Sequence, residues 1–189
     1  MMRWIAAAMV ALVPAADAAP VAQHYAVDPT SSATARVAFF GVTTRRARFP
    51  HVAGSVAIDP ADPSRIAIDV SLDASALTAD DDLTRNRLRG PAFFDVAHTR
   101  EVRFVGGHLR LLDPTHATIE GTLTARGVPR PVTLDVVFSR PISQTAATQS
   151  LHLSGRTTLD RTDFGMTGYR LIVGRRVTVD LDITLRQQS

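Results

Sequence analysis

Over residues 175–185 the chain alternates without interruption. Val177, Val179, Leu181, Ile183 and Leu185 fall on one parity, and Thr178, Asp180, Asp182 and Thr184 on the other. A two-residue period predicts a β-strand with one oily face. The same period returns at Ile66, Ile68, Val70 and Leu72, at Ile119 and Leu123, at Val132, Leu134, Val136 and Phe138, and at Leu151, Leu153 and Leu159. Turn signals separate these runs: Asp28-Pro29, Asp59-Pro60, Asp62-Pro63, Gly106-Gly107, Asp113-Pro114, and Gly127 with Pro129. Strands are expected over 24–27, 34–40, 54–58, 65–72, 102–105, 108–112, 118–126, 132–138, 151–159 and 177–185. So many one-faced strands must share an interior, and closing them into a barrel also removes the sheet edges. The expected fold class is therefore all-β, a single antiparallel barrel of about eight strands.

One segment departs from the pattern. From Thr78 the chain reads T-A-D-D-D-L-T-R-N-R-L-R-G-P, with acids in a first turn, arginines in a last turn and Gly90-Pro91 as a stop. Those charges complement a helix dipole, and Asp81 and Arg85 are spaced as neighbours on a helix. A short helix is predicted over 80–88. Only Leu83 and Leu88 are apolar inside it, which suits a lid over one barrel end better than a core helix.

Composition adds a second region and removes several chemistries. Met1-Met2-Arg3, the apolar stretch 4–13 and the small residues Ala16-Asp17-Ala18 together read as a secretory signal peptide, cleaved near Ala18. The apolar stretch is short for a membrane anchor. The domains expected are thus a signal peptide, 1–18, and one barrel domain, 19–189, acting in the periplasm or secreted. The chain has no Cys although that destination permits disulfides, so its stability must come from the core. It has no Lys either, which excludes Schiff-base lysine chemistry and a phosphate-loop lysine. The net charge of +3 and a pI near 10.4 raise nucleic acid as a partner. No aromatic platform or groove-reading helix accompanies the arginine clusters Arg45-Arg46-Arg48, Arg85-Arg87-Arg89 and Arg175-Arg176, so nucleic acid is not expected.

The search for chemistry yields little that is specific. The six histidines show no ligand spacing and no Cys joins them, so no metal is expected. No nucleophile elbow, dinucleotide fingerprint or phosphate loop occurs. The run L-D-R-T-D-F-G at 159–165 places Arg161 between Asp160 and Asp163, beside Phe164-Gly165. Its simplest reading is an arginine held by two acids at a barrel corner, with the glycine letting the backbone turn. Were Arg161 aimed at the barrel mouth, it would meet a polar head group. Phe93-Phe94 reads as a plug of core aromatics.

Taken together these pieces resemble the YceI-like family of secreted lipid-binding proteins. The resemblance rests on Y-A-V-D from Tyr25, G-S-V-A-I-D-P-A-D from Gly54, A-S-A-L-T from Ala74, F-F-D-V from Phe93, L-T-A-R-G-V-P-R-P-V from Leu123 and D-R-T-D-F-G from Asp160. Their order and spacing span nearly the whole mature chain. Departures fall near the first strand, where Thr30-Ser31-Ser32 replaces a usual His-Ser pair, and in the helix, where Thr84-Arg85-Asn86-Arg87-Leu88 keeps only the Leu of a usual R-D-x-H-L. Thr99-Arg100 stands where the family has an aromatic-Pro pair.

The resemblance implies a lipocalin-like barrel that holds a long-chain amphiphile, such as a polyprenyl chain, an isoprenoid quinone or a fatty-acid derivative, without enzymatic activity and with no cofactor beyond that ligand. Ile68, Val70, Phe104, Leu134, Val136, Leu153, Val179 and Leu181 would line the channel, and Arg85, Arg87 or Arg161 would meet a polar head. The partners expected are the amphiphile and, through arginines near Arg45 and Arg85, an anionic membrane surface in transient contact. A homodimer is compatible with the reading and not required by it. Two other classes stay open at this point: a filled barrel that serves membrane redox proteins as a partner-binding or stress-response module, and a lipid-modifying enzyme.

Overall fold

A computed structural model describes residues 22–59, 62, 64–142, 144 and 149–188. The expected signal peptide at 1–18 lies outside the described residues, as does part of the loop expected at 141–149. Eleven strands form one antiparallel sheet: β1 (Gln23–Val27), β2 (Ser32–Phe39), β3 (Thr43–Phe49), β4 (Val52–Ile58), β5 (Ile66–Asp73), β6 (Thr78–Ala79), β7 (Glu101–Leu111), β8 (His116–Ala125), β9 (Val128–Phe138), β10 (Ser150–Asp160) and β11 (Val173–Gln187). The single α-helix among the described residues, α1 (Asp82–Arg89), follows β6.

Eight of these strands close a ring in the order β1, β4, β5, β7, β8, β9, β10, β11, with β11 returning to β1. The long strand β11 pairs with β1 through Leu185 to Gln187 and with β2 through Val173 to Asp182. β1 and β2 are therefore one broken strand, and β3 and β4 break at the same height. Side chains hold the first break in place. Thr184 donates its N–H to Ser31 Oγ at 3.0 Å, and Asp28 donates its N–H to the Thr184 carbonyl at 2.8 Å. The buried Asp28 carboxylate accepts from Thr30 and pairs with Arg186. A ladder interrupted here keeps its buried polar groups bonded.

Above the breaks, β2, β3 and β6 carry the wall onward from β11. No described strand joins β6 to the β8–β9 hairpin at that level. Side chains of α1 and of Phe93-Phe94 close the gap instead: Phe94 packs edge-on against Phe49 at 5.5 Å, and against the cluster of Ala125, Phe164 and Met166. Asp81 caps α1 by accepting the Thr84 N–H at 2.7 Å, and Gly90 ends it. Such caps compensate for a helix with few apolar residues.

Two expectations change. The Gly106-Gly107 pair is not a turn, because β7 runs through it with a bulge before His108. Gly106 faces Gly121 on β8, and the Phe104 ring lies over both; a Cβ on Gly121 would sit 2.5 Å from that ring. Here glycine makes room for an aromatic side chain. The second change is β3, a strand where none is expected, because Arg45 interrupts the apolar face it shares with Ala47 and Phe49.

Candidate functional site

The barrel has two unlike ends. At the lower end Tyr25, Ile58, Leu109, Leu151 and Leu185 are fully buried and pack with Ala117, Phe138 and Ile142 into a solid floor. Above it lies a cavity of about 350 Å³, within the size range of small-molecule sites. The interior is thus hollow rather than filled. Its walls come from strand positions of one parity: Ala33, Ala35, Val37 and Phe39 on β2, Ile68 and Val70 on β5, Leu134 and Val136 on β9, and Val177, Val179 and Leu181 on β11. Gly155 on β10 lies across from Leu181, whose side chain fills the space a Cβ would take.

All eight apolar positions singled out from the sequence line this cavity: Ile68, Val70, Phe104, Leu134, Val136, Leu153, Val179 and Leu181. The three arginines separate. Arg87 stands at the mouth and Arg161 reaches the lining, whereas Arg85 lies outside it, paired with Asp82 at 2.8 Å on the helix surface.

Arg161 is held differently from the two-acid arrangement. It is buried and donates to the carbonyls of Gly174 at 2.8 Å, Met166 at 2.6 Å and Val173 at 3.0 Å. Asp160 instead caps the turn at Thr162 and pairs with Arg175 at 2.8 Å. Carbonyls satisfy the guanidinium without a buried carboxylate, and burial lowers the Arg161 pKa from its ordinary value.

Arg161 also begins a column of alternating cations and rings. Its guanidinium lies 5.5 Å from the Phe93 ring, Phe93 stacks on Tyr169 at 6.1 Å, and Arg87 covers Tyr169 at 5.2 Å. Each contact is of the cation–π or stacked-ring type. The column ties the buried corner to the mouth and orients Arg87 there.

Opposite stands a residue that the sequence reading did not single out as lining the channel. Arg45 pairs across the strands with Val37 and shares the inward parity of Ala47 and Phe49. Its guanidinium lies 5.0 Å from the Phe39 ring and 3.3 Å from Asp81. The Thr84 N–H and hydroxyl hold the Asp81 carboxyl below the usual carboxylate range, so it is ionised at neutral pH. The parity of T-T-R-R-A-R-F is the signal that locates Arg45, once 43–49 is taken as a strand. The mouth thus presents Arg45, Arg87, Asp81 and Thr84 above an apolar shaft.

Comparison with known proteins agrees with this architecture. The model of the YceI-like domain matches residues 25–185. A UPF0312 protein of Pseudomonas syringae pv. tomato is 26% identical over 149 residues, covering 79% of this chain and 76% of the relative. Burkholderia cenocepacia BcnA superposes with a TM-score of 0.73 at 18% identity, over 84% of this chain and 98% of that one. A polyisoprenoid binding domain from Saccharophagus degradans, implicated in plant cell wall breakdown, gives 0.68 at 15% identity, over 87% and 98%. The family model spans most of the chain and the fold is shared with these structures, and the chain belongs to the YceI-like domain family.

Proposed function

We propose that this protein binds and carries one long-chain amphiphile of the polyisoprenoid type, its tail in the barrel and its head at the mouth. The observation that carries the reading is the hollow shaft, walled by aliphatic side chains and rimmed by polar ones at one end only. The polyisoprenoid binding of the Saccharophagus domain, which shares the fold, supports the choice of ligand class. Ile68, Val70, Phe104, Leu134, Val136, Leu153, Val179 and Leu181 hold the tail. Arg87 and Arg45 contact the head, Arg161 buttresses Arg87 through the ring column, and Arg85 plays no direct part.

Each five-carbon unit moved out of water contributes about 4 kcal/mol before ordering costs, so a few units suffice for tight binding. A bilayer offers the same tail an equally apolar home. The preference over the bilayer must therefore come from the head contacts and the fit of the shaft, which suits reversible carriage. The site of action is the periplasm or the exterior, and the reading involves no bond making or breaking.

Organic extraction and mass spectrometry of protein purified from its own host test it. One isoprenoid lipid per chain is expected, and Leu181→Trp is expected to remove it by filling the shaft. Absence of any stoichiometric lipid, together with failure of added polyprenols and isoprenoid quinones to bind, defeats the proposal.

A further inference from the structure

Leu112, 58% exposed, lies apart on the β7–β8 turn, and four further large apolar side chains are more exposed still: Leu171 at 100%, Val42 at 84%, Phe40 at 61% and Leu83 at 60%. All four surround the mouth. Phe40 and Val42 form the tip of the β2–β3 hairpin, Leu171 belongs to the loop before β11, and Leu83 is on α1. The two loops touch, since Phe40 donates its N–H to the Ile172 carbonyl at 2.7 Å and Val173 pairs with Phe39.

Folding does not account for these tips. Phe40 and Tyr169 both have left-handed backbones, with φ of 53° and 52°, where glycine or asparagine would sit more easily. Tyr169 is held within the folded chain by Phe93 and Arg87, whereas Phe40 stands exposed at the rim. Phe40 touches Phe39 at 4.7 Å but leaves most of its ring in water. A strained, solvated aromatic points to a role outside the folded chain.

Charge at the same rim selects the partner. This end carries Arg45, Arg46, Arg85, Arg87 and Arg170 together with the acids Asp80, Asp81 and Asp82. Arg45 and Arg85 are matched by Asp81 and Asp82, while Asp80 accepts the Arg46 backbone N–H. Among the described residues, Arg46, Arg87 and Arg170 have no carboxylate pair. The rim is cationic around apolar tips.

We infer that the mouth docks on an anionic bilayer, with Phe40, Val42 and Leu171 entering the interface and Arg46 and Arg170 on the lipid phosphates. Apolar tips beside arginines suit a headgroup and acyl boundary. The mouth of the shaft then faces the lipid phase from which the tail must come. This inference rests on the proposed carriage of a lipid tail, and Phe40, Val42, Leu171 and Arg170 lie outside the shaft lining.

The test is flotation of the full chain with phosphatidylcholine vesicles, with and without one-third phosphatidylglycerol. Tail binding is measured separately with a detergent-solubilised polyprenol. The native chain is expected to float with the anionic vesicles, losing about fivefold in partitioning for Arg170→Gln. The triple variant Phe40→Ser, Val42→Ser, Leu171→Ser is expected to lose partitioning at least a hundredfold and keep polyprenol binding. Equal partitioning of the native chain and the triple variant, or no flotation of the native chain, overturns docking. So does a dimer in light scattering that the triple variant abolishes, since a second copy then covers the rim. Loss of polyprenol binding by the native chain defeats carriage instead, whatever the vesicles show.

Discussion

Leu151 and Leu153 lie two residues apart on β10 and point into the same barrel, yet they inhabit different solids. Leu151 is fully buried in the floor, while Leu153 is only partly buried and faces the cavity. Floor side chains have neighbours on all sides; shaft side chains lack partners on one. The cost of a change should therefore depend on height in the barrel more than on residue type.

The largest effect expected comes from that pair. Leu151→Ala should cost about 3–5 kcal/mol in urea unfolding and Leu153→Ala under about 2, because the second only enlarges an existing void. Equal losses would mean that the shaft is as tightly packed as the floor. Next is Arg161→Met, which strips three carbonyls of their donor at the mouth corner. About 3 kcal/mol is expected, with faster amide exchange over 161–174 than over the floor strands. Uniform exchange would deny the corner its separate anchoring.

Smaller effects should come from adding atoms. Ala117→Val, in the floor, is expected to cost about 1–3 kcal/mol, and Ala35→Val, in the shaft wall, to stay within about 0.5. The smallest effect per group is that of acid. Thr30 and then Arg186 hold the Asp28 carboxyl below its ordinary value, and Thr162 and then Arg175 do the same for Asp160. Burial would raise Asp180, but Arg156 and Arg36 outweigh it and lower the value. A carboxyl depressed in the folded state stabilises it above the unfolded pKa of about 3.9, and that contribution is lost as pH falls through the depressed value. Thermal unfolding should be insensitive to these groups from pH 7 to 5 and should fall below about pH 4. For Asp28→Asn that acid-dependent fall should shrink.

The two ends also differ in how much of them the sequence discloses. Regular alternation in β5, β9, β10 and β11 gives both the strands and the parity of the shaft, because most inward positions are aliphatic, with Gly155 and Thr157 on β10 and Phe138 on β9 as exceptions. The helix is legible from its charges and caps. The mouth is obscured because it breaks the same rule. β3 carries Arg45 on its inward parity, so its apolar periodicity is lost where the polar rim begins. Gly106-Gly107 resembles a turn because nothing local reveals that the Phe104 ring needs the space. In sequence Arg161 is flanked by acids, whereas its partners are carbonyls 5 to 13 residues away. Long-range contacts of this kind leave no periodic trace.

The gap between β6 and the β8–β9 hairpin has a further consequence. All round the eight-strand ring below it, parting two neighbours means breaking a run of peptide hydrogen bonds together. At this seam the wall is Phe93-Phe94 and the helix, held by ring contacts of which each pair is worth about 0.5–1.5 kcal/mol, by one hydrogen bond from the Gly168 N–H to the Ala92 carbonyl at 3.1 Å and by the Arg126–Asp95 pair at 3.9 Å. Above the breaks the barrel is therefore a hoop with a clasp: the mouth yields at one place, and the residues of that clasp set the force needed to widen it.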